Sequence, residues 1–211
     1  MNSESVKNVF IKGILSGVLI GIGCIIFLII DNKYLGSFLF SFGLFTIIQR
    51  GFALYTGKVG YIPENKPCYI KEVLMTLVGN VTGTFISTIF IGCTRQWKTI
   101  HRSASDLMNI KISDSVFSTF FLAAFCGILM YLAVENGRIC KIKGNDLSLV
   151  FGTVLPIMIF ILSGFNHSIA DCFYMFSAGV SVRSVLYILV VILGNAFGCM
   201  FIPILKKFFD K

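Results

Sequence analysis

The segment that decides the fold is residues 155–171, with the sequence LPIMIFILSGFNHSIAD. Its first half is apolar enough to belong to a membrane-spanning helix. It then changes to small and polar residues around His167, before apolar residues resume at Cys172. Irregular backbone at membrane depth is stable only where it is buried in protein or lines a watery cavity. An ionisable side chain at that depth indicates a functional site. The segment therefore predicts a broken membrane helix around a polar centre.

The composition of the whole chain predicts an integral membrane protein. Of its 211 residues, 56% are hydrophobic and 13% are charged, whereas soluble domains carry about 25% charged residues. Because one span needs roughly 20 apolar residues, there is room for about six spans and no large soluble domain. We expect a single transmembrane domain, residues 1–211, with spans near residues 9–30, 34–56, 68–93, 115–136, 147–176 and 183–205.

The chain has a net charge of +8, and its basic residues lie mostly in the segments that connect the expected spans. Eleven lysines and arginines fall on the segments that are inside if the N-terminus is inside, and six fall on the outer segments. Positive charge concentrates on the cytoplasmic side of membrane proteins. We therefore expect both termini in the cytoplasm, a bacterial-type inner or plasma membrane as the location, and no nucleic-acid partner.

The sequence offers no recognisable metal, cofactor or catalytic motif. The seven cysteines are scattered without a Cys-x-x-Cys pair, so neither a metal site nor a disulfide framework is indicated. There are only two histidines, and neither lies in a His-Glu-x-x-His motif. Gly-x-Ser-x-Gly is also missing. We expect no enzyme activity, no metal and no cofactor.

Two short matches suggest an internal repeat. The tripeptide Gly-Ile-Leu occurs at residues 13–15 and again 114 residues later at 127–129. Gly-Asn occurs at residues 79–80 and again 115 residues later at 194–195. The matches divide the chain into halves of about 1–105 and 106–211. Three spans per half require the second half to enter from the opposite side, which is the inverted-repeat architecture of many transporters.

The repeat predicts a second broken helix, and the sequence contains a candidate. Residues 49–60, QRGFALYTGKVG, interrupt span 2, and position 170, 114 residues after Thr56, falls within the break at 163–171. Interrupted helices at corresponding positions of two halves indicate a transport pathway. The expected fold is all-α, with six transmembrane helices, an aquaporin-like inverted 3+3 repeat, and helices 2 and 5 interrupted.

Three segments resemble the formate/nitrite transporter family. Residues 164–171, GFNHSIAD, resemble its G-F-E-H-S-x-A-N segment. Residues 54–57, LYTG, resemble L-F-T-[GS], and residues 126–134, CGILMYLAV, resemble C-N-x-x-V-C-L-A-V. The similarity covers nearly the whole chain in order. It implies a pentamer with one pore in each protomer, which passes formate, nitrite, hydrosulfide or another small monovalent anion.

The resemblance also implies pore positions. His167 matches the central histidine, and Lys111 matches a lysine of the outer vestibule. Thr56 matches the threonine of the loop that breaks helix 2. The remaining positions are Leu54 in the same segment, the constriction residues Leu44 and Phe160, and Asn166, which is expected to add a hydrogen bond. Departures are Gly127, where the family has asparagine, and Asn166 and Ala53, which replace acidic residues.

These positions suggest how an anion would cross. A bare charge is strongly disfavoured at the centre of a bilayer. We expect Lys111 to attract the anion by its field, and Leu44 and Phe160 to strip its water. His167 would then assist its protonation, since burial favours the neutral acid. The expected partners are a small monovalent anion, a proton, the lipid bilayer and further copies of the chain.

Two other functions remain open at this point. One is a neutral-solute channel of the aquaporin type, although the two Asn-Pro-Ala motifs of such channels are missing from the sequence. The other is a non-conducting structural subunit, an idea that Gly127 permits because it replaces the family asparagine. Flux through liposomes that contain the wild type or a His167→Ala variant would separate a channel from a structural subunit.

Overall fold

This computed structural model describes residues 5–209, apart from the side chain of Lys141. Nine helices form the fold of these residues. The helices are α1 Val6–Ile29, α2 Lys33–Arg50, α3 Tyr55–Lys58, α4 Tyr69–Gly92, α5 Trp97–Ser113, α6 Val116–Lys143, α7 Asp146–Leu162, α8 Ser168–Ala178 and α9 Val182–Phe209. A 3₁₀ segment, Val59–Glu64, follows α3. The expected domain also includes residues 1–4 and 210–211, which lie outside the described residues. Lys211, one of the eleven positive charges expected on the inner side, is among them.

Four of the described helices, α1, α4, α9 and the Val116–Cys140 part of α6, are long and apolar enough to cross a bilayer. They coincide with the first, third, fourth and sixth expected spans. Lys33–Arg50 and Tyr55–Glu64 together satisfy the same test as a fifth span, bent by 51°. Helix α7 is apolar but has only 17 residues. The prediction of an all-helical integral membrane protein is confirmed.

Both expected interruptions are present. Helix α2 ends at Arg50 and α3 begins at Tyr55, while α7 ends at Leu162 and α8 begins at Ser168. Each break contains a glycine in the left-handed region, Gly51 with φ 65° and Gly164 with φ 69°, a conformation that side chains with a Cβ rarely adopt.

One detail of the first break differs from the prediction. Thr56 lies in the first turn of α3, and the irregular backbone is confined to residues 51–54. The polar and glycine residues of 55–60 were expected to extend the break. They instead form the short helix α3 and the start of the 3₁₀ segment.

The expected loop between the third and fourth spans is instead a helix, α5. Ile100, Ala104 and Met108 are its buried residues. Their spacing of four places them on one face, while Lys98, Arg102 and Asp106 of the same helix are exposed. The narrow apolar stripe in a polar segment explains why the sequence suggested a loop.

Glycines set the close packing of α1 on α4 and of α6 on α9. A Cβ added to Gly17 would overlap the backbone oxygen of Asn80, and one added to Gly127 would overlap that of Asn195. The structure therefore pairs Gly17 with Gly127, one helical turn away from the register of the Gly13 and Gly127 match. It also explains the departure from asparagine at position 127, since no side chain fits there.

We predict that Gly17→Ala and Gly127→Ala each destabilise the folded protein. Because the colliding atoms belong to the backbone, the helices must move apart, and overpacking of this kind costs about 1–3 kcal/mol or more. The measurement is the thermal unfolding midpoint in detergent. Gly92→Ala is the matched control, since its Cβ would have no neighbour closer than 4.0 Å. An unchanged midpoint for Gly127→Ala would contradict the packing.

Candidate functional site

The first broken helix is held open by the side chain of Asn80 on α4. Its Oδ1 accepts from the backbone N–H of Tyr55 at 2.8 Å. Its Nδ2 donates to the carbonyl oxygens of Gly13 and Ala53, both at 2.9 Å. Asn80 is fully buried. One amide therefore supplies the backbone hydrogen bonds that the break removes from the helix.

The second broken helix is held in the same way by Asn195 on α9. Its Oδ1 accepts from the backbone N–H of Ser168 at 2.8 Å. Its Nδ2 donates to the carbonyl oxygens of Ala123 at 2.8 Å and Asn166 at 2.9 Å. The two asparagines of the Gly-Asn pairs thus do the same work at the two breaks.

His167 is the residue that caps α8, and it lies 2% exposed between the two breaks. Its Nδ1 accepts from the backbone N–H of Ala170 at 3.2 Å. Its Nε2 lies 3.0 Å from Oγ1 of Thr56. Because Nδ1 accepts, the ring proton of a neutral imidazole lies on Nε2 and faces Thr56. The ring also stacks on Phe160, with centroids 5.6 Å apart at 25°.

Lys111 at the end of α5 points into the protein rather than to solvent. Its side chain is 11% exposed, and its Nζ lies 3.2 Å from Oδ1 of Asp171. The same nitrogen donates to Oδ1 of Asn166 at 2.7 Å. The other carboxylate oxygen of Asp171 accepts from the hydroxyl of Tyr187 at 2.8 Å. The expected field of a free lysine is therefore largely balanced by a buried carboxylate.

These side chains border a cavity of about 160 Å³. We call it the Lys111 cavity, and the lining residues that matter here are Phe40, Lys111, Phe160, Asn166, His167 and Asp171. A second cavity of about 430 Å³, the Arg138 cavity, is lined among others by Leu44, Leu54, Tyr61, Val134 and Arg138. The two share no lining residue. Asp114, just before α6, lines the first, and Val134 lines the second. Asp114 and Val134 are about 30 Å apart along the axis of α6, so the two cavities lie toward opposite ends of that helix.

An apolar wall separates the two cavities along α2. Phe40 lines the Lys111 cavity and Leu44, one turn later, lines the Arg138 cavity. The rings of Phe40 and Phe160 meet edge to face, with centroids 6.2 Å apart. Leu44 is 1% exposed and Phe160 is 4% exposed. Any solute that passes between the cavities must displace these side chains or slip between them.

Charged groups near the Arg138 cavity are also paired. Arg138 donates to both carboxylate oxygens of Glu135, at 2.8 and 3.1 Å. The hydroxyl of Tyr61 donates to the same carboxylate at 2.6 Å, and Lys58 pairs with Glu72. The lining of this cavity is otherwise mostly apolar.

The structure brings most of the expected site residues together. His167 contacts Thr56 and Phe160. Lys111 contacts Asn166, which directly precedes His167 in the chain. Leu44 and Leu54 line the other cavity.

The sequence did not predict the roles of five residues that the structure shows at the site. These are the buried partners Asp171 and Tyr187, the wall residue Phe40, and the two asparagines Asn80 and Asn195. The Gly-Asn repeat identified the two asparagines, but it did not show that they hydrogen-bond the broken helices. A carboxylate inside an apolar run is a signal that a buried cation is near.

An all-helical membrane protein, in which two broken helices surround a polar centre between two cavities, belongs to the class of membrane channels and transporters. Residues 2–209 match the family model described as Formate/nitrite transporter. The chain therefore belongs to the formate/nitrite transporter family.

Individual relatives are more distant. The chain is 28% identical over 158 residues to "Formate channel FocA" of Escherichia coli (strain K12), a match that covers 72% of this chain and 55% of that protein. It is 25% identical over 228 residues to "Formate-nitrite transporter" of Plasmodium malariae, with 87% of this chain and 70% of that one covered. The chain thus spans a little over half the length of its E. coli relative. A solved structure, "Pentameric formate channel with formate bound", matches with a TM-score of 0.82 at 21% identity over 100% of this chain and 99% of that one, and shows the same fold.

Proposed function

We propose that this protein carries a small monovalent weak-acid anion, such as formate, nitrite or hydrosulfide, across a membrane through a pore in each protomer. One observation carries the proposal: the His167 and Thr56 pair lies beside a cavity with a buried lysine, across an apolar wall from a second cavity. Two relatives are named as a formate channel and a formate-nitrite transporter, and these names support the proposal.

We propose further that α7 and α8 together form the broken fifth span, which completes a set of six, and that the two halves are an inverted repeat. The matching hydrogen bonds of Asn80 and Asn195 support this arrangement. In this proposal both termini lie in the cytoplasm and the membrane is a bacterial-type inner or plasma membrane; the excess of positive charge on alternate segments supports this orientation. The Lys111 cavity would then open outward and the Arg138 cavity inward.

The assembly in this proposal is a homopentamer. The solved structure with the same fold is described as a pentameric formate channel. Large apolar side chains such as Phe117, Leu186 and Phe208 are exposed on the single chain, and in a membrane such surfaces contact lipid or neighbouring copies. Native mass spectrometry of the purified protein measures the number of copies directly.

The contacts suggest three steps for an entering anion. Lys111 binds the anion by direct contact. Its charge has little effect at longer distance, because Asp171 balances it. The wall of Phe40, Leu44 and Phe160 then favours a neutral species, since a low dielectric disfavours charge. The anion gains its proton from water in the Lys111 cavity and crosses as the neutral acid. Leaving the wall, it returns the proton to water on the other side.

His167 assists this step as a neutral hydrogen-bond donor. Its Nδ1 is held by the backbone of Ala170, so protonation of that nitrogen would break a buried hydrogen bond. The Nε2–H instead donates to Thr56, which leaves the hydroxyl proton of Thr56 free to meet a solute oxygen. The imidazole is neutral before and after each passage.

We predict that formate flux in proteoliposomes rises as the pH falls from about 8 to 5, because each anion needs a proton to cross the wall. The measurement is stopped-flow uptake at several pH values, with protein-free liposomes to subtract leakage of formic acid through lipid. Flux that is independent of pH would contradict the protonation step while leaving transport intact.

The same liposomes separate the two alternatives. Uptake of glycerol or water without anion uptake would favour a neutral-solute channel. Uptake of neither in correctly folded wild-type protein would favour a non-conducting subunit.

A further inference from the structure

One polar atom of the Lys111 cavity has no partner among the described residues, the side-chain nitrogen of Asn166. Asn166 is 1% exposed. Its orientation is fixed by Lys111, because an ammonium group can only donate, so the amide oxygen must face Nζ at 2.7 Å. The amide nitrogen, with its two N–H donors, therefore points away from Lys111. A buried donor without an acceptor is unfavourable and calls for an explanation, such as a functional role or a bound ion.

The amide nitrogen of Asn166 is available because the carboxylate that pairs with Lys111 is at position 171 and not at position 166. The family segment quoted above has an acidic residue at position 166 and an amide at 171, whereas this chain has Asn166 and Asp171. The counter-ion of Lys111 is thus supplied from the first turn of α8 and fixed by Tyr187. An acid at position 166 would offer only acceptors to the cavity, while Asn166 offers a donor.

We propose that Lys111 Nζ and Asn166 Nδ2 form a two-donor site for an anion with two acceptor oxygens, a carboxylate or nitrite. This rests on the proposed function and narrows its substrate class. Two of the three ammonium protons face Asn166 and Asp171, which leaves one for the anion. Both residues line the cavity.

The spacing of the donors favours two oxygens over one atom. Nζ and Nδ2 are separated by no more than about 5 Å, from the 2.7 Å hydrogen bond and the dimensions of an amide group. A single-atom anion that touches both nitrogens lies against Oδ1 of Asn166, an acceptor that repels it. Two oxygens roughly 2.2 Å apart reach one nitrogen each and keep the charge away from Oδ1.

The test uses a charge-neutral exchange, Asn166→Asp combined with Asp171→Asn. It keeps one carboxylate and one amide beside Lys111 and removes the donor at position 166. Formate and nitrite should raise the unfolding midpoint of the wild type in detergent, and chloride at the same concentration should not. In the exchanged variant, we expect the apparent formate affinity to fall at least about tenfold. Asn32→Asp, which keeps its exposed helix-capping oxygen, is the control.

The proposal is overturned if the exchanged variant keeps the formate effect, or if chloride stabilises the wild type as strongly as formate. If the exchanged variant does not fold, Asn166→Ala removes the same donor without moving a charge and must show the same loss. The role of Asp171 is measured separately: Asp171→Asn should lower the midpoint without formate, and adding Asn166→Asp should restore it. An unchanged midpoint in Asp171→Asn would show that Lys111 does not need the carboxylate, and a drop without restoration would show that only position 171 can supply it.

Transport and the two-donor site can fail independently. If the wild type moves no anion but formate raises its midpoint and the exchange abolishes this effect, transport fails and the site stands. If the wild type moves formate and the exchanged variant does so with an unchanged KM, the site fails and transport stands.

Discussion

Replacing His167 with asparagine should lower formate flux about 10- to 100-fold and leave the fold intact. Asparagine is a good N-cap, so its Oδ1 can take over the hydrogen bond that Nδ1 accepts from Ala170. It cannot reach Thr56 as Nε2 does. The loss corresponds to one hydrogen bond to a charged or polarised group, about 1.5–3 kcal/mol. The measurement is stopped-flow formate uptake with equal amounts of protein in each liposome preparation.

A second pair of variants separates the imidazole from the cap. His167→Ala removes both contacts and should also lower the unfolding midpoint, since loss of an N-cap costs about 1 kcal/mol. Thr56→Val removes the hydroxyl with little change in shape and should lower flux as His167→Asn does, whereas Thr56→Ser should retain most of it. Full flux in His167→Asn would show that the hydrogen bond from the ring to Thr56 does not assist the passing anion.

Much of the fold could be predicted because its signals are local. Apolar runs mark α1, α4, α6 and α9, and polar residues inside such a run mark the broken helix at 163–167. Helix α5 could not be found this way, because its buried stripe is only one residue per turn. The Gly-Asn match paired two residues with the same hydrogen bonds, whereas the Gly-Ile-Leu match was displaced by one turn. Small residues recur along α1, and only the close approach to the backbone oxygen of Asn80 distinguishes Gly17 from Gly13.

The candidate site was less accessible to sequence reasoning, since its pairings join distant segments. The broken apolar segment predicted His167 and the resemblance supplied Lys111, but the partner of Lys111 is decided by the packing of α5 against α8. Asp171 is four residues after His167 and belongs to the same short helix. Its charge inside an apolar run required a cation, and the sequence alone could not choose between Lys111 and other basic residues.

Replacing Asn195 with aspartate should unfold the protein or lower its unfolding midpoint sharply. The substitution keeps the shape and the oxygen that accepts from Ser168. It removes both donated bonds, and it places a negative charge against the carbonyl oxygens of Ala123 and Asn166. The carbonyl of Asn166 lies in the break and loses its donor, which costs about 1–3 kcal/mol, whereas the carbonyl of Ala123 keeps its hydrogen bond within α6. The uncompensated buried charge adds about 3–5 kcal/mol, so the sum approaches the entire stability of a typical domain, about 5–15 kcal/mol.

The equivalent change at the first break, Asn80→Asp, should have an effect of similar size, because Asn80 makes the same three hydrogen bonds. The readouts are the monodispersity of the purified protein in detergent and its unfolding midpoint. Thr82→Val on the same helix is the control, since its hydroxyl donates to the carbonyl of Val78 at an exposed position and its loss should change little. A large effect at one asparagine and none at the other would mean that the two breaks are not held by equivalent interactions, and the inverted repeat would lose its main support.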